Sequence, residues 1–268
     1  MSAADETYEV LALRYAHTVR PSREFYLFSP DPHEGPRPIS YYLWVIRNEA
    51  RTVVVDLGFD RRSGEARGRV LEREPVEALA AVGVRPEEVD TVIITHMHFD
   101  HAGHGPYFPN ATFILQEREI AYCTGKYMGY APLRRPFDIE HVTDMIRANY
   151  NSRVKFVDGD AQVLPGISVH LVGGHSGGLQ AVSVATRNGP LVIASDAAHF
   201  YDLLTEDNPF TVIVSLPEMC AGWERIFELG AAPEYVVPGH DPLVSELYPK
   251  HPCLLYTSPS PRDLNPNL

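Results

Sequence analysis

The sequence has few cysteines, no long apolar run and fewer basic than acidic residues. Its 268 residues include three cysteines, Cys123, Cys220 and Cys253, which are too few for a disulfide framework and favour a reducing compartment. No run of about 18 apolar residues occurs, so the sequence predicts no membrane-spanning helix. Residues 1–9 are polar and acidic rather than cationic and apolar. We therefore expect a cytoplasmic protein without a secretory signal.

The charge balance excludes two classes of partner. The chain carries 23 Lys and Arg against 35 Asp and Glu, a formal net charge of −12. Nucleic acids and anionic membranes are polyanions, so we expect this protein to bind neither. A hydrophobic content of 44% with 22% charged residues is typical of a globular protein with a sizeable core.

The end of the sequence differs in composition from the rest. Residues 253–263 read CLLYTSPSPRD, an abrupt Ser/Pro-rich stretch without apolar periodicity. It is similar to the translation of a sequencing adapter, the alternative being a natural Pro-rich tail. We expect a single domain over residues 1–252 and a non-native or disordered tail over residues 253–268.

Apolar and β-branched segments alternate with helical ones along the chain. The strand candidates are residues 8–15, 40–46, 52–55, 92–95, 112–116, 167–172, 181–186, 191–195 and 234–237. Helical spacing marks residues 75–82 and 217–229 and a stretch ending near Tyr150. Asn188-Gly189 predicts a tight hairpin between two of the strands. Strands followed by a helix, twice over, predict an α/β sandwich with two sheets inside and helices outside.

Seven polar residues follow the ends of predicted strands, where strand-end loops of one sheet edge converge. They are His96, His98, Asp100, His101, His175, Asp196 and His240. Four of them lie within HMHFDH at residues 96–101, directly after the apolar run VIIT. A buried cluster of imidazoles and carboxylates is costly unless something satisfies it. These are ligands that suit zinc and similar divalent ions, so the pattern predicts a metal centre.

The HxHxDH motif resembles the signature of the metallo-β-lactamase superfamily, and the N-acyl homoserine lactonases within it are the most similar. Further matching segments are VDLG at 55–58, LPGISVHLVGGHSGGLQ at 164–180, SDA at 195–197 and PGHD at 238–241. The resemblance implies a four-layer αββα sandwich and two Zn²⁺ ions per chain. It places His96, His98 and His175 on one ion and Asp100, His101 and His240 on the other, with Asp196 bridging both. Lactonases of this family are often dimers, so a homodimer is implied as well.

The same resemblance implies a reaction. A metal-bridging hydroxide would attack the carbonyl of a lactone, most simply an N-acyl homoserine lactone, as in quorum quenching. Asp100 would hold the hydroxide and pass on its proton. Asp56 would orient a histidine ligand rather than act as a catalyst.

Two positions depart from the family. The lactonases usually have Gly where this chain has His104, which we expect at the rim of the site. The lactonases carry a Tyr three residues after the bridging Asp, and this chain has His199 there. A neutral imidazole can donate a hydrogen bond to an oxyanion, so we assign His199 a catalytic role. Tyr201, two residues on, is the alternative donor.

Other activities stay open on the same residues. A different dinuclear zinc hydrolase would cleave an aryl ester, a phosphotriester or another cyclic ester. A persulfide dioxygenase-type enzyme would use one iron held by two His and an Asp. For a lactonase, the aromatic and Met-containing segment 120–150 would supply a pocket for the acyl chain; the alternative is that it forms part of the peripheral core.

Overall fold

The structure is a computed structural model that describes residues 6–28, 35–230 and 232–249. The tail at 253–268 lies outside these ranges, so its origin and the extent of the single domain stay predictions.

Seven strands from the first part of the chain form a mixed sheet. They are β1 (Glu9–Pro21), β2 (Pro36–Arg47), β3 (Thr52–Val55), β4 (Val70–Leu71), β5 (Thr91–Ile93), β6 (Thr112–Gln116) and β7 (Val154–Val157). Their order is β4-β1-β2-β3-β5-β6-β7. The strands β3, β5, β6 and β7 pair in parallel, whereas β1 is antiparallel to β2 and β4, and β2 is antiparallel to β3. The carboxyl ends of the parallel strands therefore lie along one edge.

Five later strands form the second sheet. They are β8 (Ala161–Leu164), β9 (Ile167–Leu171), β10 (Gln180–Thr186), β11 (Gly189–Ser195) and β12 (Val236–Pro238). Their order is β12-β11-β10-β9-β8. Only β11 and β12 pair in parallel; the other neighbours are antiparallel.

Seven α-helices lie along the described ranges. They are α1 (Arg61–Ala66), α2 (Pro75–Ala81), α3 (Glu117–Cys123), α4 (Ala131–Arg134), α5 (Ile139–Tyr150), α6 (Leu216–Gly230) and α7 (Val244–Leu247). Within the described part of the chain, none is long and apolar enough to cross a membrane.

The burial pattern of β2 explains the layering. Its side chains alternate between two faces: Leu43 and Val45 contact the core beneath α2 and α5, and Trp44 and Ile46 face the second sheet. The other face of the second sheet packs on Met219, Trp223 and Ile226 of α6. Two sheets are thus enclosed by helices on both outer sides, and the predicted αββα sandwich is confirmed.

Two local predictions were wrong by one or two residues. The hairpin between β10 and β11 pairs Thr186 with Gly189, so its turn residues are Arg187 and Asn188, and neither has a positive φ. Gly189 is already the first residue of β11. The last strand begins at Val236 because residues 233–235 form a 3₁₀ turn.

Candidate metal centre

Strand-end loops from both sheets bring the seven predicted residues together. The segment 96–101 follows β5 of the first sheet, and His175, Asp196 and His240 follow β9, β11 and β12 of the second. All seven are buried, and Asp100 is the most exposed at 8%. Their convergence in space was predicted from the strand-end pattern alone.

Four of these residues form a first set of candidate ligands. One ligand atom from each of His96, His98, His175 and Asp196 lies within 4.8 Å of every other. His175 Nε2 is 3.0 Å from His98 Nδ1 and 3.1 Å from Asp196 Oδ2. Three nitrogens and one carboxylate oxygen at these separations surround a space of the size that one cation fills.

Asp100, His101 and His240 form a second set, again within 4.8 Å. Here the contacts with Asp196 use its other oxygen: Oδ1 is 3.2 Å from His101 Nε2 and 3.0 Å from His240 Nε2. Because Oδ2 faces the first set and Oδ1 the second, the geometry of Asp196 is that of a bridging carboxylate.

In three of the rings, the nitrogen that faces away from the centre has its own acceptor. His101 Nδ1 lies 2.7 Å from Asp56 Oδ2, His175 Nδ1 2.8 Å from the Val212 carbonyl, and His240 Nδ1 2.8 Å from the Ser40 carbonyl. Such acceptors hold the proton on Nδ1 and leave the Nε2 lone pair free for a cation. Asp56 thus contacts a histidine of the centre, as the sequence predicted.

Two unusual backbone conformations aim the carboxylates. Asp56 and Ser195, at the ends of β3 and β11, have φ values of 59° and 48°, a left-handed region that non-glycine residues seldom occupy. Strain of this kind persists where the surroundings enforce it, commonly at functional sites. Next to Ser195, a Cβ on Gly239 would lie 2.8 Å from the Ser195 carbonyl group, so only glycine permits this approach.

The electrostatics of the two sets differ. Burial and the neighbouring imidazoles lower the pKa of His96 and His98 well below the usual value, so both rings are neutral, the form that binds a cation. At His101 burial also lowers the pKa, but Asp196, Asp56 and Asp100 outweigh it and raise the pKa well above its ordinary value. The carboxylates around the second set therefore favour a positive charge at this position, which a bound cation would supply.

The residues fit a metal. His96 Nε2 and His101 Nε2 are buried and have no hydrogen-bond partner within the described residues, an arrangement that costs free energy unless a cation occupies the space they face. A donor set of imidazole nitrogen and carboxylate oxygen suits zinc and neighbouring divalent ions rather than Mg²⁺ or Ca²⁺.

His199 lies inside the centre. Its Nε2 is 3.0 Å from Asp196 Oδ2, and its ring stacks on Phe210 with centroids 3.5 Å apart. Burial lowers its pKa to about 3, so the imidazole is neutral. The hydroxyl of Tyr201 instead lies 3.2 Å from the Tyr248 hydroxyl, which leaves His199 as the donor nearer to the candidate ligands.

One structurally important residue was missed from the sequence. Glu119 of α3 is fully buried. Its carboxylate accepts hydrogen bonds from the Met97 N–H at 2.8 Å, the Ser176 hydroxyl at 2.6 Å and the Gly178 N–H at 2.7 Å. It thereby links the loop of His96 and His98 to the loop of His175. No local pattern marks this glutamate, because its partners lie 22 to 59 positions away.

Aromatic side chains from segment 120–150 flank the first set. The Phe137 ring is 4.6 Å from the His98 ring, and Tyr122 lies 6.1 Å from Phe137 and 6.1 Å from Tyr127. Tyr127 is 46% exposed, so an aromatic path leads from the candidate ligands to the surface.

The chain matches a known protein family over most of its length. A model of the Metallo-beta-lactamase superfamily matches residues 36–240. The chain belongs to the metallo-beta-lactamase superfamily. Among curated proteins it is similar to the N-acyl homoserine lactonase of Bacillus cereus, with 28% identity over 184 residues covering 63% of this chain and 68% of the relative. It is 30% identical over 136 residues to the lactonase AiiA of Bacillus thuringiensis subsp. kurstaki, half of this chain and 49% of AiiA.

Solved structures share the fold. A quorum-quenching N-acyl homoserine lactone lactonase superposes with a TM-score of 0.73 at 21% identity, covering 89% of this chain and 94% of that one. AidC, a dizinc quorum-quenching lactonase, gives 0.68 at 15% identity over 87% of each chain. Membership of this superfamily and the two buried sets of candidate ligands support the predicted enzyme class, a metal-dependent hydrolase.

Proposed function

We propose that this enzyme opens the ring of a lactone of the N-acyl homoserine lactone type and uses two zinc ions per chain. The observation that carries the proposal is the pair of ligand sets joined by Asp196, whose two oxygens face different sets. The aromatic path beside His98 supports an acyl-bearing substrate, and the names of the similar proteins support the lactone. The family resemblance also predicts a homodimer. Analytical ultracentrifugation would test this prediction by measuring the mass of the particle in solution.

The chain's own residues would divide the work. His96, His98, His175 and Asp196 would hold one ion, and Asp100, His101, His240 and the other oxygen of Asp196 the second. When bound, zinc supplies Lewis acidity toward the carbonyl and lowers the pKa of water toward neutrality. Asp100 would accept the proton of the attacking water on a carboxylate oxygen, and that proton would then pass to the departing ring oxygen.

His199 would contribute a hydrogen bond. Its Nδ1 is buried without a partner in the described residues, whereas the rings of His101, His175 and His240 each have an acceptor there. The proton of neutral His199 is therefore better placed on Nε2, which faces Asp196. An Nε2–H on the inner side of the centre is suited to donate to the oxygen of a tetrahedral intermediate.

The test combines metal analysis with a substrate panel. The protein as purified should contain two zinc ions per chain, and the zinc-loaded protein should release protons from homoserine lactones of several acyl lengths. Simple aryl esters are the control. Turnover of aryl esters with none on any lactone would overturn the lactonase proposal, and one iron per chain with oxygen uptake would replace it with the dioxygenase reading.

A further inference from the structure

Three arginines, Arg20, Arg67 and Arg69, lie close together around Gly68. They are on the same side of the metal centre as His240. Arg20 Nη2 and Arg69 Nη1 both donate to the backbone carbonyl of Arg67, each at 3.1 Å. The guanidinium of Arg67 itself has a carboxylate nearby, Asp138, at 3.8 Å. Within the described residues, Arg20 and Arg69 have no carboxylate at ion-pairing distance.

The positively charged side chains of Arg20 and Arg69 therefore share one neutral acceptor, the backbone carbonyl of Arg67. Guanidinium groups stay charged at any ordinary pH, and like charges at such short range repel each other. The Nε of Arg69 is in addition buried without a hydrogen-bond partner among the described residues. Although the chain has a formal net charge of −12, no carboxylate of the described residues lies at ion-pairing distance from Arg20 or Arg69. An anion from outside the chain would satisfy both groups.

The pair lies close to the metal centre. The Arg69 guanidinium is 5.8 Å from the centroid of the Tyr41 ring, and that ring is 5.2 Å from the ring of His240. The Tyr41 ring therefore lies between the Arg69 guanidinium and the ring of His240.

We propose that the substrate carries a carboxylate in addition to the scissile ester, and that Arg20 and Arg69 bind it. The inference rests on the proposed lactonase function and narrows its substrate class to anionic lactones. Each guanidinium donates one N–H to the Arg67 carbonyl, and the remaining N–H groups of both side chains are suited to a planar carboxylate. Arg20 and Arg69 would be specificity residues, since they contact the substrate away from the reacting carbonyl.

Matched pairs of lactones test this directly. One pair is a homoserine lactone whose six-carbon acyl chain ends in a carboxylate, and its methyl ester. The other is a γ-butyrolactone with a ring carboxylate, and its methyl ester. For at least one pair we expect kcat/KM to be about tenfold or more higher for the carboxylate, with the preference shrinking as salt is added. Equal kcat/KM within both pairs would overturn the inference and leave the lactonase proposal intact.

Variants assign the preference to the two arginines. Arg20→Gln and Arg69→Gln should each lower the carboxylate-to-ester ratio by about tenfold, mainly through KM. Arg85→Gln, which removes an exposed arginine paired with Glu88, should keep the wild-type ratio. If a Gln variant does not fold, Arg69→Lys retains the charge without the fork and should lower the ratio to a smaller extent. A wild-type ratio in the folded variants of both positions would contradict the assignment.

A different outcome would separate the two proposals. If no lactone of the panel is opened, the lactonase function fails, and the anion site is judged by binding. Millimolar glutarate should then raise the unfolding temperature of the zinc-loaded wild type more than that of Arg69→Gln. An equal rise in both proteins would overturn the anion site as well.

Discussion

At the residue scale, the second ring nitrogen distinguishes the candidate ligands His175 and His240 from His199. In His175 and His240 that nitrogen meets a backbone carbonyl, which frees Nε2 for a cation. In His199 it meets no partner among the described residues. The strand-end pattern and the family resemblance assign these roles to the three histidines, but the acceptors come from Ser40 and Val212, far away in the chain, and are visible only in the structure.

His199→Ala should therefore lower lactone turnover and keep both metals. Loss of one donor to an oxyanion typically costs about 100-fold in kcat, and zinc content measured by elemental analysis should stay at the wild-type level. His199→Tyr, which restores a donor, should recover part of the rate. Turnover in the alanine variant equal to wild type would remove His199 from the mechanism, and loss of an ion would make it a ligand.

His104 makes a prediction about acid stability. Its side chain is 5% exposed, its φ is 57°, and burial lowers its pKa to about 4. A histidine in the unfolded chain has a pKa near 6.5, so between about pH 6.5 and 4 the unfolded chain binds a proton that the folded protein does not. His104 thus makes stability fall as the pH drops through this window, by about 1.4 kcal/mol per pH unit at most.

His104→Asn should flatten that dependence. Asparagine tolerates a left-handed backbone and does not titrate, so the loss of unfolding free energy between pH 7 and pH 5 should be smaller than in the wild type. Urea unfolding with zinc content checked at each pH measures this. Identical pH slopes for the two proteins would show that the buried ring is protonated as easily as a free one.

At the element scale, helix α3 supports the metal centre through the carboxylate of one residue, Glu119. Glu119 accepts from two backbone N–H groups and a hydroxyl, and all three partners are donors. Glutamine presents an N–H2 in place of one acceptor oxygen, so Glu119→Gln should destabilise the fold by roughly 1–3 kcal/mol. It should also weaken zinc affinity by about 10-fold or more, because both ligand loops are released.

Glu117→Gln is the matched control, since Glu117 is exposed on the same helix. Competition with a chromogenic chelator gives zinc affinity, and urea unfolding gives stability. Glu119→Gln with zinc affinity equal to that of the control would mean that the loops hold their positions without the carboxylate.

Strand positions were predicted better than turns. The bounds of β3 and β6 agree with the sequence prediction because β-branched runs with a defined end specify a buried strand locally. The β10–β11 turn and the start of β12 depend on pairing partners in the sheet, and these are not visible in a local pattern. Arg20 and Arg69 were missed for the same reason: their convergence on the Arg67 carbonyl is produced by the pairing of β1 with β4 and by the turn after α1.

At the scale of the whole molecule, the metal centre should contribute to stability. Asp56, Asp100 and Asp196 are buried together, and bound cations would offset the repulsion between their negative charges. Ligands that bind the folded state alone stabilise it, by about 4 kcal/mol at 1,000 times Kd. Removal of metal with a chelator should therefore lower the unfolding temperature by several degrees, reversibly on adding zinc. An unchanged unfolding temperature in metal-free protein would show that the cluster is stable without ions.

The two sheets are consecutive in the chain: residues 9–157 build one and residues 161–238 the other. The seven candidate ligands come from both portions, so neither portion contains a complete metal site by itself. Zinc should therefore bind late in folding, after the two portions have packed against each other. A chain cut within residues 158–160 would test this dependence. Zinc should be retained when the two fragments are mixed and not by either fragment alone.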